Sequence, residues 1–493
     1  MLRIASLAAS LLICAAPAIA GDNPKYIILM IADGGGESSW VATRHYAGRD
    51  MVIDGPEWKK SWVATYALRH LSRPRPGPDG LLQDPSVVYD PAKAWDPTPV
   101  DGGDEKYPFR FEGYKYLRLS APDSANTMTA LSTGVRTYPG AINVDGNGTP
   151  LDTTAHAAKR AGKSVGIISS VPWTHATPAA AAGAAHVSRA AYTALADRIL
   201  AGGLVDVLGG AGHPWYAADG TKRETPKHEF IGTSAWQKLE AGEPFGDANI
   251  TWSMYQDPAQ IASLTPESTK LPVLLQARTG KTLQQERPSA SDPTQTLPGQ
   301  DPLATDVPTL KQMADTALRL LSPDPDGFYL MIEGGAIDWA EHANQCGRMI
   351  EEVLAFEETI RSVVSTLDAN ANDPAKPNWS NTLVVVTADH DHILLGQAST
   401  TTPFAPLESK GRGNLPGHHW HSNGHSNRLI PLYARGPGAE ILLTCADQLD
   451  QATIAGRDVG RGNYIQQPEI GATLKSFLDS TPTNPPPTTP STR

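Results

Sequence analysis

The chain has 493 residues, 40% of them hydrophobic, which is enough for a large α/β core carrying insertions. A formal net charge of −11 argues against nucleic acid as a partner, because phosphate backbones select basic surfaces. The same acidity repels phosphate esters at long range, so a phosphate site here needs local positive charge, which bound metal ions can supply.

Arg3, the apolar run from Ile4 to Ala16 and the small residues Ala18-Ile19-Ala20 read as an export signal over residues 1–20. The run is short for a membrane anchor, and no other segment is long and apolar enough to span a bilayer. The expected location is therefore periplasmic or extracellular. Cleavage after Ala20 removes Cys14 and leaves Cys346 and Cys445, whose pairing the sequence leaves open.

Six short apolar runs read as buried parallel strands: 26–32, 164–169, 205–208, 328–332, 383–387 and 430–434. Helical patterns are clearest over 153–161, 190–201, 310–321 and 348–367. The alternation predicts an α/β fold, with a large central mostly parallel sheet flanked by helices on both faces. One domain is expected over 21–480, with loop-rich insertions at about 70–110, 211–305 and 397–424. Residues 481–493 are Pro/Thr-rich and read as a disordered tail.

In open α/β sheets, function gathers beyond the carboxyl ends of the strands. The first run ends in Asp33-Gly34-Gly35-Gly36, and the fourth in Glu333-Gly334-Gly335 with Asp338 and His342 beyond. The fifth ends in Ala388-Asp389-His390. A single Asp after a strand is ordinarily a helix cap; three carboxylate-bearing strand ends, two with histidines, point to metal binding. On a helix, Asp338 and His342 lie one turn apart on one face, a spacing suited to Zn²⁺. Asp123-Ser124-Ala125-Asn126-Thr127 reads as a loop entering a helix, which puts Ser124 at the positive end of the helix dipole. Simple capping by Asp123 or Ser124 is the alternative reading.

These blocks resemble the alkaline phosphatases. Asp123-Ser124-Ala125 with Ser132-Thr133-Gly134-Val135-Arg136-Thr137-Tyr138 is similar to the family's nucleophile block. Met331-Ile332-Glu333-Gly334 through Asp338 and His342 is similar to its second block, and Thr387-Ala388-Asp389-His390 to its third. The resemblance implies Ser124 as nucleophile and two Zn²⁺ and one Mg²⁺ per chain. It assigns the first zinc to Asp338, His342 and His425, and the second to Asp33, Asp389 and His390, joined by Ser124. The third site takes Asp33, Thr177 and Glu333. His425 is preferred over His418, His419 and His421 for its separation from 430–436, which matches the family's spacing. Arg189, after Ala185-His186-Val187-Ser188, is the implied phosphate clamp, with His186 structural. His175 and Trp339 stand at positions that vary in the family and tune the third site, whose metal stays open.

The resemblance further implies small phosphomonoester substrates and a homodimer. A phosphodiesterase with a related two-zinc core, a non-catalytic exported phosphate-binding protein and a structural metalloprotein are the competing readings. A sulfatase is excluded, because Ser124 lacks the following Pro and Arg pattern.

Overall fold

The computed structural model describes residues 23–396 and 402–479. The export signal and the Pro/Thr-rich tail expected from the sequence lie outside the described residues.

In chain order the strands are β1 (Tyr26–Ala32), β2 (Lys59–Ala64), β3 (Pro99–Gly103), β4 (Pro108–Phe111), β5 (Ser164–Pro172) and β6 (Val207–Ala211). They continue with β7 (Ser253–Tyr255), β8 (Val273–Gln276), β9 (Phe328–Glu333), β10 (Thr382–Ala388), β11 (Asp391–Leu395) and β12 (His419–Ser426). The last are β13 (Ile430–Arg435), β14 (Gln448–Asp450), β15 (Thr453–Ile454), β16 (Arg457–Asp458) and β17 (Gly462–Gln466).

β1 is an unbroken apolar run and sits fully buried at the centre of an eleven-stranded sheet. The strand order is β14-β17-β2-β13-β10-β1-β9-β5-β6-β8-β7. Alternate β1 residues enter opposite layers. Ile27, Leu29 and Ile31 share a core with Ala125, Met128 and Leu131 of helix Ser124–Thr133. Ile28 and Met30 share the other core with helices Leu310–Leu321 and Cys346–Ala369. Helix Leu310–Leu321 begins as its sequence dictates: Thr309 Oγ1 accepts from Gln312 N at 3.1 Å, and Gln312 Oε1 accepts from Thr309 N at 2.8 Å. Its buried Leu310, Met313, Ala314, Ala317 and Leu321 follow the helical repeat.

The central strands are parallel, as expected, with one correction. The run at 430–434 forms β13, which is antiparallel to both β10 and β2. The reason is the path between. The chain leaves β10 at Ala388, runs out and back through the antiparallel pair β11–β12, and returns at the same edge, where Asp391 pairs with Ser426. With no crossover helix among the described residues between them, the next strand runs backwards. The polar stretch 211–305 is not wholly irregular, since it supplies β7 and β8 at one sheet edge. Within 70–110, β3 pairs antiparallel with β4, which ends at Phe111. Cys346 and Cys445 are both buried and form no disulfide with each other. No helix among the described residues is long and apolar enough to cross a membrane.

This topology positions the site. β10, β1, β9 and β5 are neighbours, and parallel pairing brings their carboxyl ends together. Ala32 pairs with Ala388, so Asp33 and Asp389 leave the sheet side by side. Glu333 pairs with Ile31 on one side and Ser169 on the other.

Candidate active site and metal centre

Ser124 is the first residue of its helix, behind the capping residue Asp123. Asp123 Oδ1 accepts from Asn126 N at 3.1 Å, and Asn126 Oδ1 accepts from Asp123 N at 2.8 Å. Ser124 is 1% exposed and borders a cleft of about 1170 Å³; its Oγ lies 3.2 Å from His390 Nε2. Thr127, one turn on, donates its hydroxyl to Asp389 Oδ2 at 3.1 Å, which ties the helix to the end of β10. Arg189 lines the same cleft and gives Nη1 to Asp123 Oδ2 at 2.9 Å. Burial alone would lower the Arg189 pKa, but Asp123 outweighs it and holds the guanidinium charged.

Two groups of ligand-type side chains flank the serine. In the first, Asp33, Asp389 and His390 offer atoms within 4.8 Å of one another. His390 Nε2 is 3.4 Å from both Asp33 Oδ1 and Asp389 Oδ2. The second group is Asp338, His342, His392 and His425. Asp338 and His342 share helix Ala336–His342, so the spacing of four does place them on one face. His342 Nε2 and His425 Nε2 lie 3.3 and 3.2 Å from Asp338 Oδ1, and 3.1 Å from each other. Their Nδ1 atoms face carbonyl oxygens, Asn423 O at 2.6 Å and Pro122 O at 2.9 Å. A carbonyl only accepts, so each Nδ1 carries a hydrogen; in the neutral ring each Nε2 is then left with a lone pair. Two lone pairs and a carboxylate oxygen then converge, an arrangement that a shared cation satisfies.

The buried acids support the same fit. Asp33 and Glu333 are at most 1% exposed, and both Asp33 oxygens, Glu333 Oε1 and Thr177 Oγ1 have no hydrogen-bond partner among the described residues. Burial, then repulsion from Asp389, Asp338 and Glu333, drives the Asp33 carboxyl far above its usual range. Burial also raises Asp389, and Glu333 to about 7. Carboxylates are kept in such a place when a cation offsets their charge. Ser169 Oγ donates to the second Glu333 oxygen. In the second group the balance reverses: burial would raise Asp338, but His342, His392 and His425 outweigh it and hold it well down. His175 and Trp339 stack edge to face at 5.4 Å, and burial, with Arg189 nearby, lowers His175 to about 3.

The structure thus brings Asp33, Ser124, Asp338, His342, Asp389, His390 and His425 to one end of the sheet. His419 and His421 face elsewhere: their rings are 4.7 Å apart, and His421 packs on Tyr114. His418 Nδ1 turns to Pro416 O, and His186 Nδ1 to Ser188 O. His392 is a member of the second group that the sequence motifs do not mark. It sits opposite His425 in the β11–β12 pair, with Nε2 2.8 Å from Asp338 Oδ1. The alternation Asp389-His390-Asp391-His392 is the one signal of it in the chain.

The family model for alkaline phosphatase matches residues 105–410. The chain belongs to the alkaline phosphatase family. An alkaline phosphatase of Escherichia coli is 30% identical over 469 residues, covering 87% of this chain and 85% of that one. Alkaline phosphatase 3 of Bacillus subtilis is 32% identical over 273 residues, 54% of this chain and 48% of that one. The cold-active alkaline phosphatase of a Shewanella species shares the fold at 20% identity and a TM-score of 0.60, covering 92% of this chain and 99% of that one. The Thermus thermophilus alkaline phosphatase does so at 17% identity and a TM-score of 0.59, covering 93% and 92%. Family membership makes this chain a phosphomonoester hydrolase, and its two ligand clusters are consistent with a two-metal site.

Proposed function

We propose that the protein hydrolyses small phosphate monoesters through a phosphoserine at Ser124, with two Zn²⁺ and one Mg²⁺. The observation that carries this reading is the Ser124 hydroxyl, held 3.2 Å from His390 beside two groups of ligand-type side chains. Asp338, His342 and His425 would hold the first zinc, and Asp33, Asp389 and His390 the second. Asp33, Thr177 and Glu333 offer only oxygen, the preference of Mg²⁺. Bound at these positions, the ions would favour ionised serine and water and offset phosphoryl charge.

The protein's own groups do the rest. Ser124 Oγ forms the bond to phosphorus as the ester oxygen leaves with its pair of electrons and becomes the alcohol. Water then takes the phosphoryl group from Ser124, giving inorganic phosphate and restoring the serine hydroxyl. Arg189 receives two phosphoryl oxygens in its planar fork, aimed by Asp123. His392 steadies Asp338 from behind. Export to the periplasm or beyond, and a homodimer, complete the proposal.

Purified protein should contain zinc and hydrolyse p-nitrophenyl phosphate until a chelator is added. Ser124→Ala should keep its metal and lose about 10³-fold or more in kcat. Undiminished turnover by that variant, or faster cleavage of bis(p-nitrophenyl) phosphate than of the monoester, would overturn the reading.

A further inference from the structure

The cleft beside Ser124, at about 1170 Å³, is far larger than a phosphoryl group requires. Its inner end holds Ser124, Arg189 and His425; its outer wall comes from residues 217–223 and 285–293, within the long polar stretch. That wall carries three arginines, counting Arg348 behind it. Two of them are spent: Arg287 pairs with Glu351 at 2.7 Å and Arg348 with Asp301 at 2.6 Å. Arg223 differs. Its backbone N donates to Trp215 O at 2.7 Å and its Nε to Tyr216 O at 2.9 Å. The turn beneath is closed by Ala217 N to Thr221 O at 2.8 Å and by a bridge between Tyr216 and Lys222. Among the described residues, neither Nη of Arg223 has a hydrogen-bond or ion-pair partner.

The guanidinium is therefore anchored on its Nε side, half-buried at the cleft wall, with its outer fork uncommitted. Of the carboxylates on that wall, Asp219 turns Oδ1 back to Thr221 at 2.7 Å, and Glu286 faces Lys281 at 3.7 Å. An anchored, open fork suits a carboxylate or phosphate, because little freedom is lost on binding.

We propose that this wall selects phosphomonoesters whose alcohol bears a second anionic group, with Arg223 as the residue that receives it. The inference rests on the phosphomonoesterase reading above and adds a substrate class to it. It is tested by kcat/KM of the holoenzyme on 6-phosphogluconate and fructose 1,6-bisphosphate, each relative to glucose 6-phosphate. The first carries a carboxylate as its second anion and the second a phosphate. Arg223→Gln should lower at least one ratio by about tenfold, the worth of one charge-assisted hydrogen bond. Arg223→Lys should retain more of that ratio than Arg223→Gln. Ratios equal in wild type and both variants overturn the inference. Turnover of p-nitrophenyl phosphate by the wild type separates the two levels. A protein that hydrolyses it without an Arg223-dependent ratio loses this inference alone; one that hydrolyses no monoester loses both.

Discussion

Asp123 holds Arg189 with one oxygen while building the serine's helix with the other. Oδ2 accepts from Arg189 Nη1 at 2.9 Å; Oδ1 accepts from Asn126 N at 3.1 Å and Gly140 N at 2.9 Å. Gly140 O in turn accepts from Arg189 N at 2.7 Å. Ser124 and Arg189, the proposed nucleophile and phosphate clamp, are thus set by a single carboxylate. Arg189→Ala should lower kcat/KM for a monoester by about 10- to 100-fold. Asp123→Ala should cost about 1 kcal/mol of stability through the lost cap. Its effect on inhibition by phosphate should vanish when Arg189 is also Ala, while the stability loss persists. Steady-state kinetics and urea melts over the double-mutant cycle check this; additive effects on phosphate inhibition would refute it.

Metal removal should destabilise the fold as well as stop turnover. Asp33, Glu333 and Asp389 are buried together, and with no cation among them their charges repel. Scanning calorimetry should show a lower Tm with a chelator and recovery on adding Zn²⁺ and Mg²⁺. An unchanged Tm would contradict the cation assignment.

Glu352 provides a pH test away from the metal ligands. Burial, then Glu351, pushes its carboxyl from 4.5 to about 7, against the weaker pull of Arg287 and Arg348. A raised folded pKa means that the native state holds the proton more tightly than the unfolded chain. The cost is therefore absent at low pH and grows as pH rises from about 4.5 to about 7. Glu352→Gln should melt like the wild type near pH 4 and be more stable near pH 8, by at most roughly 3 kcal/mol. A stability difference that did not change with pH would defeat the explanation.

Gly471 lies in helix Gln467–Asp479, where it packs on the serine's helix. A Cβ there would stand 2.3 Å from Ala130 O and 2.7 Å from Leu131 O. Gly471→Ala should push the two helices apart, costing about 1–3 kcal/mol. It should also lower kcat, because Ser124 begins the displaced helix. Denaturant melts and p-nitrophenyl phosphate turnover report the two effects; wild-type values for both would disprove the close contact.

Local chemistry is legible in the order of residues alone. The run at 26–32 reads only as a buried strand, and Leu310–Leu321 announces itself by its period and its Thr309–Gln312 box. Asp338 and His342 are readable because four residues make about one helical turn. His392 is not, because a histidine four residues past a strand end has no spacing rule of its own. Its partner Asp338 is supplied from another element.

The alternation of strands and helices, the acidic strand ends and the serine behind a capping aspartate are written in the chain, since each depends on residues within a turn or two. Folding in three dimensions settles the rest: that β10, β1, β9 and β5 stand side by side, that β13 runs backwards, and that Arg223 lines the cleft of Ser124. Those relations are set by pairing and packing between residues far apart in the chain, for which no local pattern exists.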